Sequence, residues 1–328
     1  MSDSGRAGRA SDPANRLGLD YREVPRRKTR GAVVDVHTHL NDPEHAALLF
    51  EAAAHHGVHT VFSMSPLEQV AALREQYADR LRFIAVPRWK DMRLDEAFRA
   101  RWIADLAAFR EHGARLCKFW MAPPMRERFG LTLDHPFMQP VIDEALQLGY
   151  AFMAHVGDPS VWWGPRGRYA DEAKFGTKQD QYPPFERFLE RVAPRVVIAA
   201  HMAGYIEDPE FLAGLLARHP NLVLDTSATK WMVREVARRP EAVRAFMIAQ
   251  ADRSLFGSDL VAREPYEHFD HYASRYWCQR MMWESDYRGE SPIEDPDADD
   301  PPWLAGLALP DHVLSAVYGG NIARLDLL

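Results

Sequence analysis

Cysteine is nearly missing from this 328-residue chain: only Cys117 and Cys278 occur, far apart and in no spaced pair. That excludes a disulfide framework and a thiolate metal site, and it makes a reducing, cytoplasmic setting the expectation. No apolar run approaches the ~18 residues that a membrane-spanning helix needs. The first thirty residues also lack the apolar stretch of a secretory leader. Positive charge is not in excess. The 40 Lys and Arg against 47 Asp and Glu leave a formal net charge of −7, so neither nucleic acid nor a membrane surface is an expected partner. No glycine-rich phosphate turn follows the first apolar strand, which removes the main mark of a dinucleotide-binding open sheet. What is present is an ordinary globular composition, 47% hydrophobic and 27% charged, with ample apolar material for a core.

One stretch organises the rest: Val33-Val34-Asp35-Val36-His37-Thr38-His39-Leu40. It begins as the β-branched run of a buried parallel strand and ends in two histidines spaced by one residue. Strand side chains alternate faces, so His37 and His39 point the same way, as two donors of a chelate would. Ahead of it, residues 1–30 are rich in Ser, Gly, Ala and Arg and carry Arg26-Arg27-Lys28 and Arg30. They read as a solvated, flexible basic tail before a single domain over residues 31–328.

From residue 32 strand and helix alternate. Strands are expected at 32–40, 59–64, 82–87, 115–120, 150–156, 195–200, 222–225 and 254–258. The helices between them are expected at 43–56, 66–77, 94–112, 136–148, 184–192, 209–218 and 241–250, with Gly57, Gly113 and Gly149 as stops. Eight such units predict an α/β fold, a (β/α)8 TIM barrel. Two stretches break the rhythm. Residues 157–183 form a long loop after strand five, holding Trp162, Trp163, Tyr169, Phe175 and Tyr182 among Arg166, Arg168, Lys174 and Lys178. On the catalytic face of a barrel such a loop reads as a lid or a substrate wall. After strand eight comes a C-terminal helical extension: an aromatic helix at 266–283, an acidic proline-rich excursion at 284–300 and a short helix near 310–318.

The C-terminal strand ends carry His37 and His39, then Lys118, His155, His201 and Asp259. A barrel brings all its C-terminal strand ends to one mouth, so these residues are expected to meet. Nitrogen and carboxylate donors without thiolate suit Zn²⁺, with Mn²⁺ or Fe²⁺ as alternatives. A histidine beyond the ligand set can polarise substrate or move a proton.

The series VDVHTHL, CKFW, MAHVGD, AAHMAG, DTSAT and FGSDL, closed by YGGNIARL, resembles the amidohydrolase superfamily. It is most similar to the amidohydrolase-related (amidohydrolase 2) branch, which includes aminocarboxymuconate-semialdehyde and resorcylate decarboxylases alongside hydrolases and lactonases. The likeness covers residues 32–328. It implies that His37, His39, His155 and Asp259 hold one divalent metal and that His201 is the unligated catalytic histidine. In binuclear members a carboxylated strand-four lysine bridges two metals. Lys118 stands at that place, so a second metal follows only if it is carboxylated; unmodified, it binds an anionic substrate group or pairs with Asp259.

The resemblance implies a metal-dependent hydrolase that cleaves an amide, ester or lactone bond of a small cyclic or carboxylated substrate. His201 and Asp259 would carry the proton steps. The alternative is non-oxidative decarboxylation of an aromatic or muconate-type acid, and a third reading is an inactive barrel that binds a ligand or serves an assembly. Arg88, Lys118, Trp162 and Trp163 are the expected substrate contacts, with Lys230 and the loop arginines as further cations and Trp89 and Trp231 as further aromatics. The expected partner is a small molecule, and self-association stays open.

Overall fold

The structure is a computed structural model that describes residues 13–24, 31–298 and 301–328. Its strands are β1 (Val33–Leu40), β2 (Val58–Ser63), β3 (Leu81–Ala85), β4 (Leu116–Trp120), β5 (Ala151–His155), β6 (Val197–Ala199), β7 (Leu222–Asp225), β8 (Ser254–Leu255) and β9 (Leu260–Ala262). They pair in parallel in the order β8-β7-β6-β5-β4-β3-β2-β1-β9. Strands β8 and β9 are two halves of the eighth barrel strand. The first half pairs with β7 and the second with β1, which closes the ring. Residues 256–259 run between them, tied to β1 by Val36 N–H to Phe256 O and Asp259 N–H to His37 O. The expectation of one strand at 254–258 therefore meets a strand broken just where Asp259 is presented.

Helices α1 (Pro43–His55), α2 (Val70–Tyr77), α3 (Glu96–Glu111), α4 (Pro123–Phe129), α5 (Gln139–Gln147), α6 (Glu172–Phe175), α7 (Tyr182–Val192), α8 (Pro209–Arg218), α9 (Thr229–Arg238) and α10 (Pro240–Ala249) lie along the chain between strands. Asp42, Asp95 and Asp208 cap α1, α3 and α8 by accepting backbone N–H groups of the first turn. Sequence reading missed α9. Its buried Arg234 and Glu235 pair with each other, and Arg234 also meets Asp295. Helix α11 (Phe269–Glu284) packs on α1, and a small hairpin of β10 (Arg288–Glu290) and β11 (Trp303–Ala305) follows. The chain ends with α12 (Asp311–Ser315), a π-turn and α13 (Asn321–Arg324). No helix among the described residues is long and apolar enough to cross a membrane.

The core has two layers. One lies between strands and helices; the other fills the barrel with Val34, Val36, Phe62, Ile84, Leu116, Met153, Ile198, Val223 and Leu255, closed below by Ile322 and Leu327. Of the segment expected to be a flexible tail, residues 13–24 instead lie against this body. Tyr21 is buried with its ring edge-on to Trp277, and the Asn15 amide donates to Asp270. Arg26-Arg27-Lys28 and Arg30 lie outside the described residues.

Candidate active site

Strand β1 departs from simple alternation. Asp35 pairs with Val61 and Thr38 with Ser63, so β1 spends one more residue than β2 over this step. The extra residue is a bulge, which re-aims side chains. It lets Val34 and Val36 fill the barrel interior while His37 and His39 also turn inward, above them. Asp35 faces the other way. Its carboxylate accepts the His37 and Ser258 backbone N–H groups and the Ser258 and Tyr276 hydroxyls. These four bonds hold the bulge, the strand break and α11 together. Burial outweighs them and raises the Asp35 pKa to about 6.

His37 Nε2 and His39 Nε2 each lie 3.2 Å from Asp259 Oδ1. The three residues form a cluster whose donor atoms all lie within 4.8 Å of one another. Asp259 reaches it from a left-handed backbone (φ 61°), a conformation that costs a non-glycine residue energy and is found where function holds it. Two imidazoles and a carboxylate, with no thiolate, suit a divalent ion of the zinc class. Lys118, from β4, places Nζ 2.7 Å from His37 Nε2. At that distance one of the two nitrogens must offer a lone pair. Burial pulls the Lys118 pKa down to about 8, against the charges of Asp259 and Asp225.

Behind the cluster stands Asp225, at the end of β7 and fully buried. Its Oδ2 accepts from His37 Nδ1 at 2.9 Å; its Oδ1 accepts the backbone N–H groups of His201 and Ser227 and the Ser227 hydroxyl. With its own proton on Asp225, Ser227 Oγ is free to accept from His201 Nδ1, 2.7 Å away. This chain fixes the Nδ1–H tautomer of both histidines and leaves each Nε2 as a lone-pair donor. Burial is the largest influence on His201 and pushes its pKa well below the usual histidine value, although Asp259 pulls the other way. Its imidazole is therefore neutral at neutral pH.

His201 sits in an unusual turn. Residues His201, Met202, Ala203 and Gly204 all have positive φ, a left-handed turn after β6. Such a turn is costly for L-residues. It is held by the His201 bond to Asp225 and by the Tyr182 hydroxyl on Ala203 O. Gly204 lies so close to the loop after β5 that a β-carbon there would fall 2.3 Å from the Gly157 carbonyl carbon.

Three of the four expected ligands thus come together, and His155 is the exception. Its Nε2 is 2.9 Å from Asp158 Oδ1, and it belongs neither to that cluster nor to His37–His201–Asp225, the second group of potential metal ligands among the described residues. Asp158 is held in turn by the Tyr169 hydroxyl. The His155 ring still packs edge-on to His201, 4.8 Å away. The cleft above is about 600 Å³, lined by His39, Lys118, His155, His201 and Asp259 below and by Trp89, Trp120 and Trp231 at the sides. Arg88 stands at its mouth, exposed and 3.6 Å from Glu68. Trp162 and Trp163, expected as substrate contacts, are not in its wall. The Trp162 indole donates to Asp297, is covered by the Arg168 guanidinium and packs edge-on behind Trp231; the Trp163 indole donates to Asp158 O. Sequence reading also missed Asp225 and Ser227. Both lie in the quoted segment DTSAT at a C-terminal strand end, the signal that would have found them.

The amidohydrolase family model matches residues 34–325. The chain belongs to the amidohydrolase family. Solved structures similar to this amidohydrolase include an amidohydrolase II (15% identity, 90% of this chain and 99% of that one, TM-score 0.53). Another is a protein from Pseudomonas putida described as a candidate 2-pyrone-4,6-dicarboxylic acid hydrolase (12% identity, 90% and 97%, TM-score 0.51). At these identities the likeness is one of fold. No curated protein matches the sequence. As a family member with a His-Asp cluster at the mouth of its barrel, the protein is an enzyme with a site suited to a divalent metal.

Proposed function

We propose that this amidohydrolase is a metal-dependent hydrolase that opens an amide, ester or lactone bond of a small cyclic or carboxylated substrate. The observation that carries the reading is the pairing of two features at one cleft floor: the His37–His39–Asp259 cluster, and a neutral His201 whose Nδ1 is anchored on Ser227. A divalent ion, zinc before manganese or iron, supplies Lewis acidity toward the scissile carbonyl and toward water when bound. His37, His39 and Asp259 would hold it, with His155 a fourth ligand once its ring leaves Asp158. His201 Nε2 then takes a proton from the attacking water and returns it to the leaving atom, the role of a positioned base whose pKa lies below the working pH. Trp120 and Trp231 exclude water and present flat faces to a ring.

Non-oxidative decarboxylation is the second reading. It is favoured by Lys118, a buried ammonium with a pKa of about 8 at the cleft floor, able to deliver H⁺ to carbon. A turnover screen of lactones, esters, amides and aromatic carboxylates on zinc-loaded protein, with carbon dioxide monitored, separates the two. Hydrolysis without gas release is expected, with about one ion per chain. Both ion and turnover should be lost when His37 and His39 are replaced together by Ala. Carbon dioxide release would establish the second reading, and full metal retention in the double variant would refute the ligand assignment. Elemental analysis near two ions, falling toward one in Lys118→Ala, would mark a carboxylated bridging lysine.

A further inference from the structure

Trp231, in the first turn of α9, lines the main cleft, and its indole N–H has no hydrogen-bond partner among the described residues. Ring packing fixes its angle. Its centroid lies 5.1 Å from His201, 6.2 Å from His155 and 4.9 Å from Trp162, each contact edge-on. The two histidines belong to the cleft floor; Trp162 comes from the loop after β5 and is itself pinned. Its indole N–H donates to Asp297 Oδ2 at 2.9 Å. The Arg168 guanidinium lies 3.9 Å over the Trp162 ring while donating to both Asp297 oxygens, at 3.2 and 3.3 Å. One carboxylate thus takes N–H groups from the ring and from the cation that covers it.

Asp297 is tied back to α9. Its backbone N–H donates to Asp295 Oδ1 at 3.1 Å, and the other oxygen of Asp295 accepts from buried Arg234. Arg234 stands about one helical turn beyond Trp231. The Glu294 N–H on Pro13 O holds the start of the same segment against the body. The contacts close a circuit from Trp231 through Arg234, Asp295, Asp297 and Trp162 back to Trp231. Neither Asp295 nor Asp297 lines the cleft, so an acidic segment outside it sets the angle of a ring within it.

Strand β3 lies four places from β7 in the eight-strand ring, so the wall across from Trp231 is built after β3, by Val86, Pro87 and Trp89. A ligand between them meets apolar surface on one side and a fixed indole on the other. We infer that Asp297 is a positioning residue for this cleft: by holding Trp162 it fixes the Trp231 ring against His201, and the wall so made selects substrates that carry an aromatic ring on the scissile group. The scissile group rests on the hydrolase reading, and the ring wall on the circuit alone. A loosened Trp231 still offers apolar surface. It loses the fixed edge-and-face geometry that tells a flat aromatic ring from an aliphatic one.

Fluorine NMR of zinc-loaded protein labelled with 5-fluorotryptophan reads the wall without turnover, the Trp231 signal being the one lost in Trp231→Phe. That signal should move in Asp297→Ala, move less in Asp297→Asn, which keeps an acceptor for the indole, and stay in place in Glu294→Ala. Trp162→Phe keeps a ring but removes its N–H donor; it should reproduce the Asp297→Ala shift, and the double variant should add little. It also carries the test if Asp297→Ala fails to fold. A Trp231 signal unmoved in both variants, or fully additive effects, would overturn the positioning role. Titration with α-tetralone and with cyclohexanone, ketones with no bond to hydrolyse, reads ring selectivity. The parent should prefer α-tetralone, and Asp297→Ala should lower that preference about two- to tenfold, the worth of an aromatic contact. No preference in the parent, or an equal one in the variant, would overturn the selectivity. In the turnover screen, Asp297→Ala should raise KM for dihydrocoumarin more than for δ-valerolactone and leave kcat within about twofold. Ring selectivity that depends on Asp297, with no hydrolysis of any substrate, would refute the hydrolase reading and leave the positioning role standing.

Discussion

The decisive feature at the scale of single residues is which nitrogen of each histidine carries a proton. Asp225 and Ser227 settle this for His37 and His201 together, because one carboxylate and one hydroxyl take up both Nδ1 positions. His201 stands outside the His37–His39–Asp259 cluster but groups with His37 and Asp225, a second set of potential ligands, so its role has to be tested. Replacing it with Asn retains size and some hydrogen bonding but removes the basic Nε2. Metal content should stay at the parent value while kcat falls by about 10²–10⁴, the contribution of a positioned acid–base group. Loss of an ion in His201→Asn, measured by elemental analysis, would make it a ligand and support a binuclear centre with Lys118. Unchanged turnover would reduce it to a structural residue.

At the scale of elements, three departures from regular geometry build the site: the β1 bulge, the gap between β8 and β9, and the left-handed turn after β6. Each is braced by buried carboxylates, Asp35 for the first two and Asp225 for the third. The left-handed turn is the most exposed to mutation, because Gly204 combines φ 68° with backbone contact to Gly157. Gly204→Ala adds a β-carbon where neither neighbour is a flexible side chain. Chemical denaturation should show a loss of about 1–3 kcal/mol. Turnover should fall with it, since the displaced segment carries Asp158 and, through it, His155. Stability within 0.5 kcal/mol of the parent would show that the turn relaxes freely and is not set by this packing.

The whole molecule's stability carries a pH signature from a histidine remote from the site. His56, at the C-terminus of α1, is buried beside Tyr276, and neither ring nitrogen has a hydrogen-bond partner. Burial, then the charges of Arg280 and His55, pushes its pKa down to about 3. The unfolded chain binds this proton near pH 6.5 and the folded chain does not. The resulting stability is full above about 6.5 and is lost as pH falls toward about 3. Acidification from pH 7.5 to 5 should therefore cost the parent about 2 kcal/mol through this group alone. In His56→Leu that part of the pH dependence should vanish, as read from urea unfolding at the two pH values. Equal pH dependence in both proteins would show that the folded state admits the proton.

The barrel was legible in the sequence because each strand and helix writes its own period, and the positions of His37, His39, His201 and Asp259 at strand ends followed from counting units. Chemistry of the donor set, nitrogen and carboxylate without sulfur, was legible for the same reason: it is a property of residue types. The arrangement of those donors was not. The bulge in β1 depends on the register of a neighbouring strand, and the break that presents Asp259 depends on closing the ring between chain segments more than two hundred residues apart. His155 turns to Asp158 because the loop after β5 folds back to within 2.9 Å, and Trp162 turns behind Trp231 because Asp297 waits for its indole. The buried charges of α9, Arg234 and Glu235, find their partners only in three dimensions, Arg234 reaching Asp295 sixty-one residues on. Local periodicity and residue chemistry thus determine the architecture and the class of site. Contacts between distant segments decide which groups meet, since the energy of a buried hydrogen bond or ion pair exists only once the fold has brought both partners out of water.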